Sequence, residues 1–381
     1  MNYLEQVSAQ VRLEEGPLVI EQLLLECYLN PGISTKSLAR KTFLPVPIAA
    51  AIKKELIKAG ALAQGHGVRC TLKAKTWIEQ CLGYAGLNQA LYRKLLTNQT
   101  GLVSELSDTL SVLQDIFDSR PEANVQLDQS KCTAETSLKR AVLCLKEHSL
   151  IGKRILCVGD DDLVSVAIAL LLQCLFPNEE HNKTRIDVID IDRRFLTFIR
   201  EVSEKKGLSI HCIHQDLRQP ISEQFREQYD CFFTDPPYTL QGMNLFVSRG
   251  LTALKKKKGL PIFLSFAHKS PEFMLTMQHE LVRLGLTVSA TFPHFNVYEG
   301  AEMIANQSQM FILKTTEHST RDHMAPHTGP LYTGEIKRSL RTYCCKQCGG
   351  AILVGDQGSF PTIEQLKNEA VHTVPIERLI Y

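Results

Sequence analysis

The sequence predicts an α/β protein, in which a parallel-rich sheet with helices on both faces follows a small helical domain. The first observation is the alternation of short apolar strands and helices from Lys153 onward, which is typical of a parallel sheet. The second is a set of short helical patterns in the first 80 residues that end at turn-forming residues. The third is the composition: 44% of the 381 residues are hydrophobic, which is enough to bury a sizeable core.

The charge and the hydropathy pattern exclude several classes of protein. A net charge of +2, from 43 basic and 41 acidic residues, excludes a protein that binds nucleic acid over its whole surface, although a local basic face stays open. No apolar run reaches the roughly 18 residues of a membrane helix, and no signal peptide is evident. Twelve cysteines, most of them single in apolar stretches, suit a reducing compartment, so we expect a cytoplasmic protein.

Residues 1–82 show the order of elements of a winged helix-turn-helix domain. Helical patterns over residues 20–29, 34–39 and 48–60 are followed by a strand over 68–72. The third helix carries a basic face, which would contact nucleic acid. The alternative is a packing or dimerisation module with solvated lysines, and the lack of an Arg-rich or aromatic-laced patch favours it. The lysines concerned are Lys53, Lys54 and Lys58.

The strands of the second half define where a ligand would bind. Residues 83–150 read as a helical connector without chemistry of its own, residues 151–330 as a Rossmann-like domain and residues 331–381 as a C-terminal extension. Ligands of such sheets bind at the carboxyl ends of the strands. The predicted strands cover residues 154–158, 185–189, 209–214, 229–234 and 261–266.

Carboxylates follow four successive strands. The first strand is followed by a single glycine and three aspartates, where a nucleotide-binding turn usually has several glycines. Any one such turn is often solvated or caps a helix, and Asp162 is the expected cap here. The four together describe a class I S-adenosylmethionine-type fold with an acidic pocket. The residues are Asp160, Asp161 and Asp162, then Asp190 and Asp192, then Asp216, and finally Asp235.

The acidity of this pocket discriminates between two donors. S-adenosylmethionine carries a carboxylate, and a like-charge contact at about 4 Å costs on the order of 4 kcal/mol at an intermediate dielectric. Decarboxylated S-adenosylmethionine ends in an ammonium group instead, which the aspartates would attract. They would also attract a polycationic acceptor, so the sequence favours aminopropyl transfer to a polyamine.

Four motifs resemble the branched-chain polyamine synthases, the N(4)-bis(aminopropyl)spermidine synthase family. They lie at residues 159–162, at 232–239 with its continuation to 250, at 295–302 and at 329–332. The resemblance covers nearly the whole chain and is weakest over 83–130 and after 340. It implies two successive aminopropyl transfers from decarboxylated S-adenosylmethionine to the secondary amine of spermidine, with release of methylthioadenosine. It implies no prosthetic group and no metal, with polyamine and nucleoside as partners, and we expect a homodimer.

The resemblance also suggests roles for individual residues. The acceptor amine is mostly protonated at neutral pH, so a carboxylate must take its proton and hold the nitrogen in line. We assign this role to Asp160, with Asp162 and Asp235 placing the flanking ammonium groups and Tyr238 offering a ring face to the developing cation. The expected substrate contacts are Asp161, Asp190 at the ribose, Asp192, Asp216 near the adenine, Pro236, Tyr238, and Glu299 and Glu302, which are equally well explained as surface charges.

Two other functions stay open at this point. Asp-Pro-Pro-Tyr is also typical of enzymes that methylate an amino group of adenine or cytosine, so a DNA or RNA methyltransferase is the main alternative. A winged-helix regulator that binds a polyamine or nucleoside without turnover is the second. In the tail, Cys345 and Cys348 resemble half of a zinc knuckle, but no second Cys-x-x-Cys exists, which favours plain turn cysteines over a zinc or redox site.

Overall fold

The computed structural model describes residues 2–11, 13–14, 16–97, 102–301, 304–320, 325–332, 335, 341–345, 350–354, 366 and 373–375. Its helices are α1 (Tyr3–Gln10), α2 (Leu18–Leu29), α3 (Thr35–Lys41), α4 (Val46–Lys58), α5 (Leu72–Cys81), α6 (Gln89–Thr97), α7 (Leu102–Glu105), α8 (Ser107–Asp118), α9 (Ala134–Lys146), α10 (Val164–Leu175), α11 (Arg193–Lys206), α12 (Leu240–Ala253) and α13 (Pro271–Arg283).

The strands are β1 (Leu62–Gly65), β2 (Gly67–Cys70), β3 (Lys131–Cys132), β4 (Arg154–Val158), β5 (Arg185–Asp190), β6 (Ile210–His214), β7 (Cys231–Thr234), β8 (Pro261–Phe266), β9 (Leu286–Glu299), β10 (Gln307–Thr315), β11 (Arg341–Cys345), β12 (Ala351–Val354) and β13 (Thr373–Pro375).

An eight-stranded mixed sheet forms the centre of the molecule, in the order β3-β9-β10-β8-β7-β4-β5-β6. The strands β6, β5, β4, β7 and β8 are parallel, which confirms the predicted α/β class. Strand β10 runs antiparallel to β8, and β9 antiparallel to β10. From β4 the chain moves outward to β5 and β6 and then returns to β7 on the other side. This reversal opens a crevice between the carboxyl ends of β4 and β7, where ligands of such sheets bind.

The central strands are apolar because both of their faces are covered. Every residue of β7 and β8 is buried, and β4 is buried from Ile155 onward. One hydrophobic cluster includes α9 and α10 and continues into the first helices of the chain. The other lies on the opposite face and includes side chains of α12 and α13. Burial on both faces explains the unbroken apolar runs from which the strands were predicted.

The first 81 residues contain five helices and the antiparallel hairpin β1–β2, with an isolated bridge between Ile33 and Val68. The strand predicted over 68–72 ends at residue 70, and α5 follows it. The basic face expected on α4 is partly used within the chain. Lys53 Nζ donates to Thr35 Oγ1 at 2.9 Å, and Lys58 Nζ lies 2.7 Å from Glu55. Lys54 is exposed.

The tail contributes a separate three-stranded sheet in the order β12-β11-β13. Cys345 is the last residue of β11, and Cys348 lies outside the described residues. None of the described helices is both long and apolar enough to cross a membrane. The same part of the chain contains no group of three or more side chains arranged to hold a metal ion.

Candidate active site

Two acidic turns meet at the crevice between β4 and β7. Val158 and Thr234 pair in register, so the chain leaves both strands side by side. Gly159 begins the first turn with φ of 76°, a left-handed conformation that favours glycine. Its amide donates to Ile189 O of β5 at 2.9 Å, which ties this turn to the neighbouring strand. The aspartates predicted after β4 and β7 are thereby brought together.

Arg140 of α9 reaches into this crevice and joins both turns. Its guanidinium lies 2.6 Å from Asp162 Oδ2 and 3.0 Å from Asp235 Oδ2, and the arginine side chain is 3% exposed. The Nε atom donates to Asn296 Oδ1 of β9 at 2.9 Å. Asp162 Oδ1 is buried and has no hydrogen-bond partner within the described residues. One arginine thus holds two carboxylates, and one carboxylate oxygen is left over.

Two tyrosines complete the surroundings of Asp235. Tyr238 donates to Asp235 Oδ1 at 2.9 Å, and Tyr298 of β9 donates to Oδ2 at 2.7 Å. The two hydroxyl groups lie 3.1 Å apart. The Tyr238 ring packs edge-on against Phe266, and Pro236 is buried in the turn. Asp235 therefore has a fixed orientation, while 14% of its side chain stays exposed.

The carboxylate of Asp160 accepts hydrogen bonds from backbone amides, whereas the sequence suggested that it would accept the proton of the substrate amine. Its Oδ1 accepts from the amide of Val164 at 2.7 Å, and its Oδ2 from the amide of Ser165 at 3.2 Å. It is therefore Asp160, and not Asp162, that satisfies the free amides at the start of α10. The residue is 2% exposed. Both carboxylate oxygens are used in holding the turn, which leaves Asp160 poorly placed to meet a substrate.

The remaining acidic residues lie around the ends of β5 and β6. Asp190 accepts from the amides of Asp160 and Asp192 at 2.9 and 2.7 Å. Asp192 accepts from the amide of Arg194, as the N-cap of α11. Asp161 is partly buried and accepts weakly, at 3.4 Å, from the amide of Ser130. These residues form one acidic edge, continuous with the crevice.

Three of the expected contacts lie apart from the crevice or outside the described residues. Asp216 is in the turn after β6, where Oδ1 accepts from the amide of Arg218 at 2.9 Å. Glu299 ends β9 with an exposed side chain. Strand alternation turns it away from the buried face that carries Tyr298, which favours an ordinary surface charge. Glu302 lies outside the described residues.

The crevice holds more carboxyl groups than it can keep ionised. Burial raises the pKa of Asp160 to about 7, and burial together with the charge of Asp162 raises that of Asp235 to about 7. The pKa of Asp161 is raised by burial and by the neighbouring carboxylates, and burial also raises that of Asp190. At Asp162, burial acts upward, but the Arg140 ion pair outweighs it and lowers the pKa. Binding of a cationic ligand would therefore be accompanied by the loss of protons from these carboxyl groups.

This charge balance predicts how stability depends on pH. Asp160 and Asp235 hold a proton more tightly when folded, so their contribution is full below pH 4 and is lost as the pH rises through about 7. We expect the unfolding free energy, from urea denaturation, to fall between about pH 4 and 7. His148, whose pKa burial lowers, acts in the opposite sense. The Asp235→Asn variant therefore isolates the contribution of Asp235. Its unfolding free energy should fall less steeply with pH than that of the wild type. An equal or steeper fall would refute the raised pKa of Asp235.

Sequence reasoning missed several residues of this network. Arg140 lies in the segment interpreted as a connector without chemistry, yet its guanidinium is the contact that unites the two turns. The available signal was a single arginine within the apolar run of α9, since a buried arginine needs carboxylate or carbonyl partners. In the sequence, Asn296 and Tyr298 stand out only as members of the motif at residues 295–302. Their spacing of two on a strand, which places both on one face, would have paired them.

The chain is similar to several known proteins. Residues 108–330 match the family model described as the branched-chain polyamine synthase A C-terminal domain. An uncharacterized protein of Methanocaldococcus jannaschii is 36% identical over 93% of this chain and 87% of its own length. The N(4)-bis(aminopropyl)spermidine synthase of the same organism is 30% identical over 56% of this chain, and the match spans only 58% of that enzyme.

The fold is similar to that of a solved enzyme structure. It is the branched-chain polyamine synthase of Thermus thermophilus, in complex with N4-aminopropylspermidine and 5'-methylthioadenosine. The superposition covers 87% of this chain and 96% of that one, with a TM-score of 0.51 and 24% sequence identity. At this identity the likeness concerns the fold alone.

Proposed function

The chain belongs to the branched-chain polyamine synthase A family, and we propose that it transfers the aminopropyl group of decarboxylated S-adenosylmethionine to the secondary amine of spermidine. The observation that carries the proposal is the charge of the crevice. Asp161, Asp162 and Asp235 surround it, and Arg140 is the basic side chain that pairs with them within the described residues. Such a site suits a cationic donor and a polycationic acceptor.

On the acceptor side, we propose that Asp235 is the proton acceptor. The lone pair of the secondary amine attacks the propyl carbon bound to sulfur, the carbon–sulfur bond breaks, and its electron pair stays on the sulfur of methylthioadenosine. Before this attack, the protonated amine gives its proton to Asp235, whose pKa near 7 suits a base at neutral pH, and the attack then yields a tertiary ammonium. A second transfer to the tertiary amine, once that amine is unprotonated, would yield a quaternary ammonium. Asp160 would support the turn rather than take the proton, because amides occupy both of its oxygens.

Neighbouring groups would orient the acceptor. Asp162 has an unpartnered buried oxygen within the described residues, which suits an ammonium group of the polyamine. Tyr238 lies beside Asp235, and its ring would face the developing cation. Arg140 would hold both carboxylates in position. The distances among these four residues support these roles.

On the donor side, the nucleoside would lie over the ends of β5 and β6. Asp190 and Asp192 end and follow β5, the position at which acidic residues usually accept hydrogen bonds from a ribose. Asp216, after β6, would lie near the adenine. Asp161 would attract the ammonium group of the donor, and its charge would repel the carboxylate of S-adenosylmethionine. The donor is a substrate, so no prosthetic group is required.

The domain organisation is also part of the proposal. We infer a winged-helix domain over residues 1–82, a helical connector over 83–150, the transferase domain over 151–330 and an extension over 331–381. The hairpin β1–β2 after α4 supports the first of these. We further propose a homodimer in the cytoplasm, acting on small molecules and not on nucleic acid.

The winged-helix domain is expected not to bind DNA tightly or with sequence preference. Two of the three lysines on α4 interact with groups of the chain itself, so few charges remain to neutralise phosphates. Fluorescence anisotropy with a random duplex library, over a range of salt concentrations, measures this. A salt-sensitive, sequence-selective complex of nanomolar affinity would instead support the alternative of a nucleic-acid methyltransferase.

The cysteines of the tail are expected to be dispensable for catalysis. Cys345 ends β11, in a sheet separate from the one that forms the crevice. Cys345→Ser should leave kcat and both KM values within about twofold of wild type, because no substrate-binding element contains it. Stoichiometric zinc by elemental analysis, lost together with activity in this variant, would overturn the expectation.

Donor discrimination tests the proposed activity. The protein is incubated with spermidine and either decarboxylated S-adenosylmethionine or S-adenosylmethionine, and the nucleoside products are identified by mass spectrometry. We expect methylthioadenosine from the first donor and no adenosylhomocysteine from the second. Adenosylhomocysteine formed on a nucleic-acid substrate would favour the methyltransferase, and ligand binding without either product would favour a regulator.

A further inference from the structure

Arg249 is a buried arginine that the proposed chemistry does not use. It lies in the second half of α12 and is 1% exposed. Its Nε donates to Leu217 O at 2.8 Å, and one terminal nitrogen donates to Arg218 O at 3.0 Å and to Ala325 O at 2.9 Å. These carbonyls belong to two separate segments, the turn after β6 and residues 325–332, which we call the strap. One guanidinium therefore joins the strap to the β6 turn.

The strap makes further contacts with the same turn. The amide of His327 donates to Arg218 O at 2.8 Å, and the Arg218 guanidinium lies 5.3 Å from the centre of the Tyr332 ring. Arg218 also pairs with Glu335, which accepts from the amides of Leu331 at 2.8 Å and Tyr332 at 3.2 Å. Leu331 and Tyr332 are buried in the hydrophobic cluster of the α12 face. The strap is thus anchored to the turn through Arg218 and to the α12 face through its buried end.

The turn that the strap covers adjoins the end of β5. The amide of Gln215 donates to Asp190 O at 3.0 Å, so the β6 turn lies directly against the proposed ribose site. Burial raises the pKa of Tyr332 to about 12, and the charges of Asp216 and Asp190 add to the effect. The strap therefore borders the side of the crevice where the nucleoside would bind.

We propose that Arg249 is a positioning residue for the nucleoside, which holds the strap and the β6 turn together as one wall of the adenosine site. This inference rests on the proposed function and names the part of the donor that the wall would serve. The planar guanidinium fork reaches carbonyls of two segments at once, which a single ammonium group cannot do with the same geometry. Without it, the carbonyls of Leu217 and Ala325 lose a donor, and the strap is tied to the turn only through the contacts of Arg218.

A substitution of Arg249 should affect nucleoside binding alone, because Arg249 lies far along α12 from the residues that would bind the acceptor. The helix begins after Thr239, next to Tyr238, and Arg249 is ten residues further on. At 1.5 Å per residue this is about 15 Å along the helix axis. A change at Arg249 should therefore alter donor binding and spare the acceptor side.

The test compares Arg249→Lys with Glu335→Gln, which loosens the strap from its partly exposed end. In both variants we expect the KM for decarboxylated S-adenosylmethionine and the Kd for methylthioadenosine to rise about tenfold or more. The KM for spermidine, and kcat at saturating donor, should stay within about twofold, since the acceptor groups are untouched. Arg283→Gln, which breaks an exposed ion pair on α13, is the matched control and should change none of these values.

Direct titration of methylthioadenosine by calorimetry separates this inference from the proposed function. A folded variant with wild-type methylthioadenosine affinity, or with equal shifts in both KM values, would overturn the role of Arg249. If Arg249→Lys does not fold, Glu335→Gln decides by the same criteria. A wild-type protein that binds methylthioadenosine but forms none would refute the proposed function alone, while one that binds none would refute both.

Discussion

Replacing Asp235 with asparagine should lower kcat by about a hundred- to ten-thousand-fold at pH 7, the usual range for loss of a general base. The amide is nearly isosteric: its oxygen can still accept from Tyr298, and its NH2 group can donate to the hydroxyl of Tyr238, so the turn should keep its conformation. It cannot take the proton that the acceptor nitrogen must lose. Raising the pH frees more of the acceptor amine and should partly restore turnover. Steady-state kinetics between pH 6 and 9 measure both effects.

Asp160→Asn is the matched comparison for this prediction. The carbonyl oxygen of asparagine can keep one of the amide hydrogen bonds at the start of α10, so we expect a modest loss of stability and a much smaller loss of kcat. This result would place the base at Asp235 and not at Asp160, where the sequence placed it. Near-normal kcat in Asp235→Asn, together with abolished turnover in Asp160→Asn, would restore the original assignment.

Arg140→Met should cost about 3–5 kcal/mol of unfolding free energy at pH 8, because it leaves two buried carboxylates without their counter-ion. The loss should be smaller at pH 5.5, since Asp235 is protonated there and Asp162, once the guanidinium is removed, also takes up a proton more readily. Turnover should fall as well, because nothing then fixes the two turns. Urea denaturation at the two pH values measures the stability difference.

Arg154→Met is the control, because it also removes an arginine that pairs with an aspartate of the central sheet. Arg154 begins β4 at the opposite end of the strand and is 28% exposed, and its partner Asp187 also accepts from Tyr229, so its loss should cost clearly less than that of Arg140. It should also leave kcat unchanged. Equal losses in the two variants, or a loss at Arg140 that does not depend on pH, would contradict the role of Arg140 as counter-ion of the crevice.

The parallel half of the sheet was predictable because its strands are buried on both faces. Strands such as β7 and β8 appear in the sequence as short apolar runs bounded by turns. The carboxyl end of each run then identified the residues that meet at the crevice, including Asp162 and Asp235. Strand β9 gave no such signal, because most of its residues between 287 and 295 are exposed or only partly buried.

The roles within the acidic cluster could not be read from the sequence. Asp160 and Asp162 are two positions apart, and the choice between helix cap and pocket residue depends on the φ and ψ angles of the turn. Arg140 is 95 positions from Asp235, and only the packing of α9 against α10 brings it to the crevice. Pairings of this kind depend on tertiary contacts, which local patterns do not contain.

The destination of the aminopropyl group distinguishes transfer to the internal nitrogen of spermidine from transfer to a terminal amine. Decarboxylated S-adenosylmethionine labelled in its propyl chain is supplied with spermidine, or with a diamine of equal length in which a methylene group replaces the internal nitrogen. We expect one labelled group on the internal nitrogen of spermidine for each methylthioadenosine released in the first turnover, and no transfer to the diamine. Labelled product extended at a terminal amine, or equal transfer to the diamine, would contradict this expectation.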